Sequence, residues 1–259
     1  MAYFHRTGDS SFTATEHVGG AWDTGTQHIA SALGLLVHAV ETDRDKRRDD
    51  GLHIGRLSYD ILGTVPVAEF ETGVEVLRAG RTIELVEARM TYAGRTIVRL
   101  RAWLMEPRDT TAEQGTPFEP IAAPEEMEAF DPTTIWDGGF IASAHVRRHL
   151  IAPGRGSYWV RTEHELIAGE KVSTLAARAG LFDIANGMTV RADPRRIAFP
   201  NIDLTAHLFR EPAESAEGWL GFDTTISFGP GGIGLTSSVL HDADGPLGTV
   251  NQVLTVRPN

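Results

Sequence analysis

Three side chains in this sequence have types and settings that could do chemistry: Asp183, Gln252 and Asn201. Asp183 follows Leu181-Phe182 and precedes Ile184 in an otherwise apolar run. A carboxylate in such company is costly unless it is hydrogen-bonded or put to use. The plainer alternative is that it faces solvent or bonds the Asn186-Gly187 turn. Gln252 alternates along a strand-like segment with Val250, Leu254 and Val256, so it falls on the more apolar face. A neutral amide there can hold a water without changing protonation state, or can bond a neighbouring strand or meet another subunit. Asn201 heads a polar stripe of Asn201, Asp203, Thr205 and His207 opposite Ile202, Leu204, Ala206 and Leu208. That stripe reads equally well as the solvated face of a sheet.

Other chemistries have little support. The chain has no cysteine, which excludes disulfides, thiolate catalysis, Cys-ligated zinc and iron–sulfur clusters. No Gly-x-Ser-x-Gly elbow is present, which weakens a serine hydrolase. Gly229-Pro230-Gly231-Gly232 lacks the Lys-Ser/Thr of a phosphate loop and reads as a turn. His28 and His38 are not neighbours on a helix, and His145 and His149 lie in a strand-like segment, so no metal motif emerges. No cofactor is expected. With 24 Lys+Arg against 35 Asp+Glu the formal charge is −11. The basic footprint of a nucleic-acid binder is therefore missing.

These residues must be positioned by the rest of the 259-residue chain, whose 41% hydrophobic and 23% charged content is ordinary for a globular protein. The N-terminus lacks the apolar run of a signal peptide. The most apolar stretch, Ile29 to Val40, is too short for a membrane span of roughly 20 residues. A cytoplasmic protein is expected. Residues 1–26 read as irregular. Thr26 to Val40 reads as a helix apolar all round, hence buried, with Ala30, Ser31, Ala32 and Gly34 allowing a sheet to approach. The charged run Glu41 to Asp50 reads as a solvated connection. Strands are expected at Leu57–Ile61, Phe70–Leu77, Ile83–Tyr92 and Val98–Leu104. A bulge is expected near Leu85-Val86 and a hairpin turn at Ala93-Gly94.

The proline-punctuated, acidic residues 106–133 form a linker or a covering loop. The plan then repeats. Strands are expected at Phe140–Leu150 and Tyr158–His164, and a helix at Val172–Asn186. Four more strands follow at Asn201–Phe209, Trp219–Phe228, Ile233–His241 and Leu247–Val256. Gly94 and Gly245 fall at equivalent turns 151 positions apart, and Leu57 and Leu204 open equivalent strands 147 apart. A tandem duplication of an α+β unit accounts for this. It divides the chain into an N-terminal unit 1–106, a linker 107–133 and a C-terminal unit 134–259.

One buried helix wrapped by a curved antiparallel sheet is the hot-dog arrangement, and two copies would pair their sheets side by side. The sequence resembles the acyl-CoA thioesterase II type of double hot-dog protein, in its actinobacterial-like branch, over nearly its whole length. In the first half the resemblance rests on Gly20-Ala21-Trp22 with Gln27-His28, and on Val76-Leu77-Arg78-Ala79-Gly80-Arg81 running into Thr82–Ala88. In the second half it rests on Asp183-Ile184-Ala185-Asn186-Gly187, Asn201-Ile202-Asp203-Leu204-Thr205 and Gly248-Thr249-Val250-Asn251-Gln252.

The resemblance implies hydrolysis of an acyl-CoA or acyl-carrier thioester without a covalent intermediate. Asp183 would activate a water held by Gln252 and Asn201. Asn201 stands where the family usually has threonine. The acyl chain would lie in an apolar tunnel, and Arg147, Arg148 and Arg155 are available to a nucleotide. A homo-oligomer is implied. Two other functions fit such a fold. One is a hot-dog enoyl-CoA hydratase, for which Asp23 and His28 lie in the right region. The other is a non-catalytic acyl-CoA-binding protein, which the departure at Asn201 favours.

Overall fold

In the computed structural model, which describes residues 1–215 and 217–259, the two halves build one curved sheet around two helical segments. The first half contributes β1 (Ala2–Arg6), β2 (Ser11–Ala14), α1 (Ile29–Arg47), β3 (His53–Ile61), β4 (Glu69–Arg78), β5 (Ile83–Tyr92) and β6 (Arg95–Met105). The second contributes β7 (Glu128–Phe130), α2 (Gly139–Ala142), β8 (Ala144–Ala152), β9 (Arg155–Thr162), β10 (Glu165–Ile167) and α3 (Thr174–Ala179). It continues with β11 (Ile197–Ala198), β12 (Asp203–Leu208), β13 (Leu220–Phe228), β14 (Ile233–Asp242), β15 (Gly245–Thr255) and β16 (Arg257–Pro258). The order across the sheet is β10-β1-β2-β4-β5-β6-β3-β12-β15-β14-β13-β9-β8-β7, with β11 and β16 as a separate pair. This is the double hot-dog, an α+β fold.

The halves meet along β3 and β12, where Ser58 lies opposite Thr205 and their hydroxyls are 3.0 Å apart. These residues are 147 positions apart, the same spacing as Leu57 and Leu204. The duplication therefore places equivalent residues face to face on a pseudo-twofold axis. The hairpins follow a spacing of 150. The bulge between Leu240 and His241 lies 150 positions beyond that between Met90 and Thr91. By register Gly94 thus corresponds to Asp244, one residue off the equivalence expected from the glycines. The first of these turns has Ala93 at φ 48° and Gly94 at φ 75°, the left-handed pair of a tight hairpin. The bulge expected near Leu85-Val86 is present, but its extra residue is Leu77 on the partner strand β4.

Along α1, Leu33, Leu35, Leu36, Val37 and Val40 are all inaccessible or nearly so. Each such side chain contributes about 1.5–3 kcal/mol of burial. At Gly34 it is α3, not the sheet, that comes closest to α1. A Cβ on Gly34 would lie 2.5 Å from the Ala176 carbonyl oxygen and 2.8 Å from the Gly180 nitrogen. Gly34→Ala should destabilise the protein by about 1–3 kcal/mol, the cost of overpacking against atoms that cannot yield. A chemical-denaturation midpoint measures it.

Several local expectations are corrected. Residues 1–26 contain a hairpin, β1–β2, whose other edge pairs in parallel with β10 of the second half. Much of the charged run after Glu41 is the end of α1, where Arg44, Lys46 and Arg47 suit the negative end of the helix dipole. Arg47 and Arg48 there clamp Glu84, which is buried. Phe140 to Ala142 are helical, and the strand begins at Ala144. The stretch 107–133 crosses the outer side of the sheet, where the Ala122 carbonyl accepts from the Trp159 indole and the Glu119 carbonyl meets the His241 ring. Among the described residues, no helix is long and apolar enough to cross a membrane.

Candidate active site

The expected helix Val172–Asn186 is broken where it crosses α1. Ser173 caps its start, its hydroxyl accepting from the Ala176 N–H at 2.9 Å and donating to Glu41 at 2.6 Å. The α-helix stops at Ala179, and Phe182–Asn186 form a tighter 3-10 turn. Asp183 sits on that turn, packed beneath α1, with only 6% of its surface exposed.

The three residues singled out in the sequence meet there. Asp183 Oδ1 accepts from Asn201 Nδ2 at 2.6 Å and from Gln252 Nε2 at 3.0 Å. Burial pushes the Asp183 carboxyl up to about 7, with the two amide bonds pulling in the opposite direction. Gln252 is on the inner face of β15, as its alternation implied, and its Oε1 has no partner among the described residues. Asn201 departs from the polar stripe because it precedes β12 at an isolated bridge to Leu254. Its amide can therefore turn inward to Asp183 and to the Asp203 carbonyl, 3.2 Å away. The Asp203 carboxylate accepts the Val253 N–H at 2.6 Å, pinning β15 next to Gln252.

A fourth residue belongs to the cluster. His28 caps α1, its Nδ1 accepting from the Ala30 N–H at 3.3 Å, and its ring stacks on Phe140. The same nitrogen is 3.6 Å from Asp183 Oδ2. Burial lowers the histidine to about 4, so the contact joins a neutral ring to a carboxyl group and is not an ion pair at neutral pH. Asp23, the partner a hydratase would need, is exposed and bonds the Gly25 N–H.

Beside Asp183 lies a cavity of about 140 Å³ lined by Gly20, Trp22, Gln27, His28, Ile29 and Asn201 among others. One of the two first-half strings, Gly20-Ala21-Trp22 with Gln27-His28, thus borders a carboxylate from the second half, whereas the other, Val76 to Ala88, lies on β4 and β5 and does not line this cavity. Trp22 meets Trp136 and Phe199 edge-on. The first turn of α1, with leading N–H groups that lack helical partners, also faces the cavity. The arginines lie elsewhere. Arg148 stacks on Phe130, Arg155 pairs with Asp223, and Arg147 lines a separate cavity of about 530 Å³ with Arg161 and Trp219.

Among the described residues, the duplication has left no second copy of this carboxylate–amide pair. By the spacing of the crossing glycines Gly34 and Gly180, Asp183 corresponds to Val37. By the hairpin spacing, Gln252 corresponds to Ala102, on the inner face of β6. In this protein of the hot-dog class, a carboxylate and two amides of one half thus meet the N-terminus of the other half's helix.

Comparison with known proteins places the chain within that class. The acyl-CoA thioesterase N-terminal domain model matches residues 18–105 and the C-terminal domain model residues 105–256. The chain belongs to this acyl-CoA thioesterase family. It is similar in structure to an acyl-CoA thioesterase II, TesB2, from Mycobacterium marinum (TM-score 0.67, 14% identity, 99% of this chain and 96% of that one). It is also similar to a hot-dog protein of unknown function from Alicyclobacillus acidocaldarius (TM-score 0.73, 14% identity, 98% and 95%). A tesB protein of Mycobacterium avium subs paratuberculosis gives a TM-score of 0.66 at 16% identity, over 98% and 96%. No curated protein sequence matches the chain.

Proposed function

We propose that this protein hydrolyses acyl-CoA thioesters, with Asp183 as the general base for an attacking water. The observation that carries the reading is the arrangement around one carboxylate. Both amides bond the same oxygen, Oδ1, which leaves Oδ2 for a water. A carboxyl raised to about 7 is a far better proton acceptor than one near its usual value of 3.8. Gln252 Oε1, buried and unpartnered among the described residues, can accept a hydrogen bond from the water's second O–H.

The water oxygen adds to the thioester carbonyl carbon as its proton passes to Asp183. The carbonyl electrons move onto oxygen, stabilised by the first-turn N–H groups of α1 and the positive end of its dipole. Collapse reforms the carbonyl and breaks the C–S bond. The departing thiolate takes the proton from Asp183, which regenerates the carboxylate and releases a free acid and a thiol. Neutral His28 holds the cap of α1 in place and lends no positive charge that would trap Asp183 as a permanent anion. Asn201 takes the position at which the family usually carries threonine and donates to the same oxygen.

A cytoplasmic, homo-oligomeric protein completes the proposal. Ile202, Leu235 and Ile233, each about half exposed or more, offer an apolar outer patch for association of sheets. Thiol release from acyl-CoAs of increasing chain length tests the activity. Release is expected, and its length dependence sizes the acyl site. No release from any chain length, by protein shown to be folded, would leave a binding protein. Gln252→Ala should lower kcat about 10–100-fold, the worth of a hydrogen bond to a charged group. Steady-state kinetics at saturating substrate reads that change.

A further inference from the structure

The two halves differ on their inner faces in a way the thioesterase site alone does not require. In the first half, the cross-strand pairs Val86–Ala102 and Val74–Ala88 line the concave side of the sheet. The positions 150 residues further on are Thr236–Gln252 and Thr224–Ser238, again directly opposite one another. Four apolar positions of one half are thus four polar ones in the other. All four are at least 98% buried. Thr224 and Ser238 satisfy each other at 2.7 Å. Thr236 Oγ1 and Gln252 Oε1 have no hydrogen-bond partner among the described residues. Buried polar groups are almost always paired, and leaving one unpaired is costly. At these positions the first half has an apolar inner wall, which a plain fatty acyl chain would favour, and the second half does not.

We propose that the acyl group of the substrate carries an oxygen close to the thioester, a hydroxyl or oxo group on carbon three, and that Thr236 recognises it. The inference rests on the thioesterase reading and names its substrate class. Gln252 donates to Asp183 at 3.0 Å, so the thioesterase reading puts the reacting carbon next to it. Directly opposed residues on one face of an antiparallel pair have Cβ atoms about 4.5–5.5 Å apart. An acyl chain passing Gln252 therefore brings its third carbon alongside Thr236. The Thr236 hydroxyl can donate to an oxo group, or donate to and accept from a hydroxyl. A saturated chain in the same place would bury that hydroxyl against methylenes. Ser238 and Thr224, already bonded to each other, continue the polar surface inward.

The test compares kcat/KM for 3-hydroxybutyryl-CoA and butyryl-CoA, and for the matched hexanoyl pair, in the wild type and in Thr236→Val and Ser238→Ala. Thr236→Val keeps shape and removes only the hydroxyl's polarity, and circular dichroism checks that each variant is folded. The wild type should prefer the hydroxyacyl member of each pair about tenfold or more, because a site with a buried polar group rejects the analogue that leaves it unpaired. Thr236→Val should bring the ratio close to one, and Ser238→Ala should lower it less. Equal rates on both members, or a preference that survives Thr236→Val, would overturn the proposal and leave the thioesterase intact. No thiol from either member would overturn the thioesterase reading and this inference with it.

Discussion

Asp183→Asn is expected to lower kcat for thiol release by about 10²–10⁴-fold, the usual contribution of a positioned general base, while leaving the fold intact. The variant keeps the shape and one oxygen of the carboxylate. That oxygen can still accept from Asn201 and Gln252, which both bond Oδ1. The new amide nitrogen takes the place of Oδ2, 3.6 Å from a neutral His28 ring, and brings no charge and no added volume. Everything that holds the site is thus preserved except the capacity to accept a proton. A fall in kcat with KM little changed would mark an interaction made in the transition state. Asp183→Ala should lose as much activity, but it opens a small cavity and is the poorer control.

The same substitution should stabilise the protein at high pH. Asp183 has a raised pKa, about 7 against 3.8, because burial disfavours its charge. Between those values the folded protein binds a proton that the unfolded chain has released. Folding stability therefore falls as pH rises from about 4 to about 7, and the penalty is fully present above 7. A shift of about three units corresponds to at most about 4 kcal/mol. The asparagine of the variant behaves as the neutral acid at every pH and escapes the penalty. Urea denaturation of wild type and Asp183→Asn should give nearly equal stabilities at about pH 4.5, near the lower end of that window. At about pH 8 the variant should lead by about 2–4 kcal/mol. Equal stabilities at both pH values would mean that the carboxyl is not held against its charge. Such an activity–stability trade-off is common where a site stores an unfavourable charge.

Much of this arrangement was legible from the residues. Asp183 and Gln252 were anomalies in apolar patterns, and a polar group breaking a period of 2 or a buried run is the signal a sequence displays most clearly. The repeat spacing of Leu57 and Leu204 is the one that Ser58 and Thr205 keep across the sheet-to-sheet junction, but which strands would meet there was not legible in the residues. Other features depended on approach in three dimensions. The helix expected over Val172–Asn186 breaks because α1 and α3 touch at Gly34 and Gly180, and no local propensity encodes that crossing. His28 looked like a lone histidine because its partner is 155 positions away. The hairpin at residues 2–14 was hidden by strands of only five and four residues. Asn201 looked like part of an outer stripe until its place ahead of β12 turned it inward. The polar pairs of the second half carry meaning only beside their apolar equivalents, and that comparison needs the register.

The pH dependence of kcat/KM for thiol release tests the central claim, that a buried Asp183 is the base, most directly. The rate should rise with pH through a single inflection near 7, the value to which burial raises the carboxyl, and then level off; in Asp183→Asn the residual rate should lack that inflection. An inflection near the ordinary carboxylate value of about 4, or one near 7 that persists unchanged in Asp183→Asn, would contradict the account and assign the proton to another group.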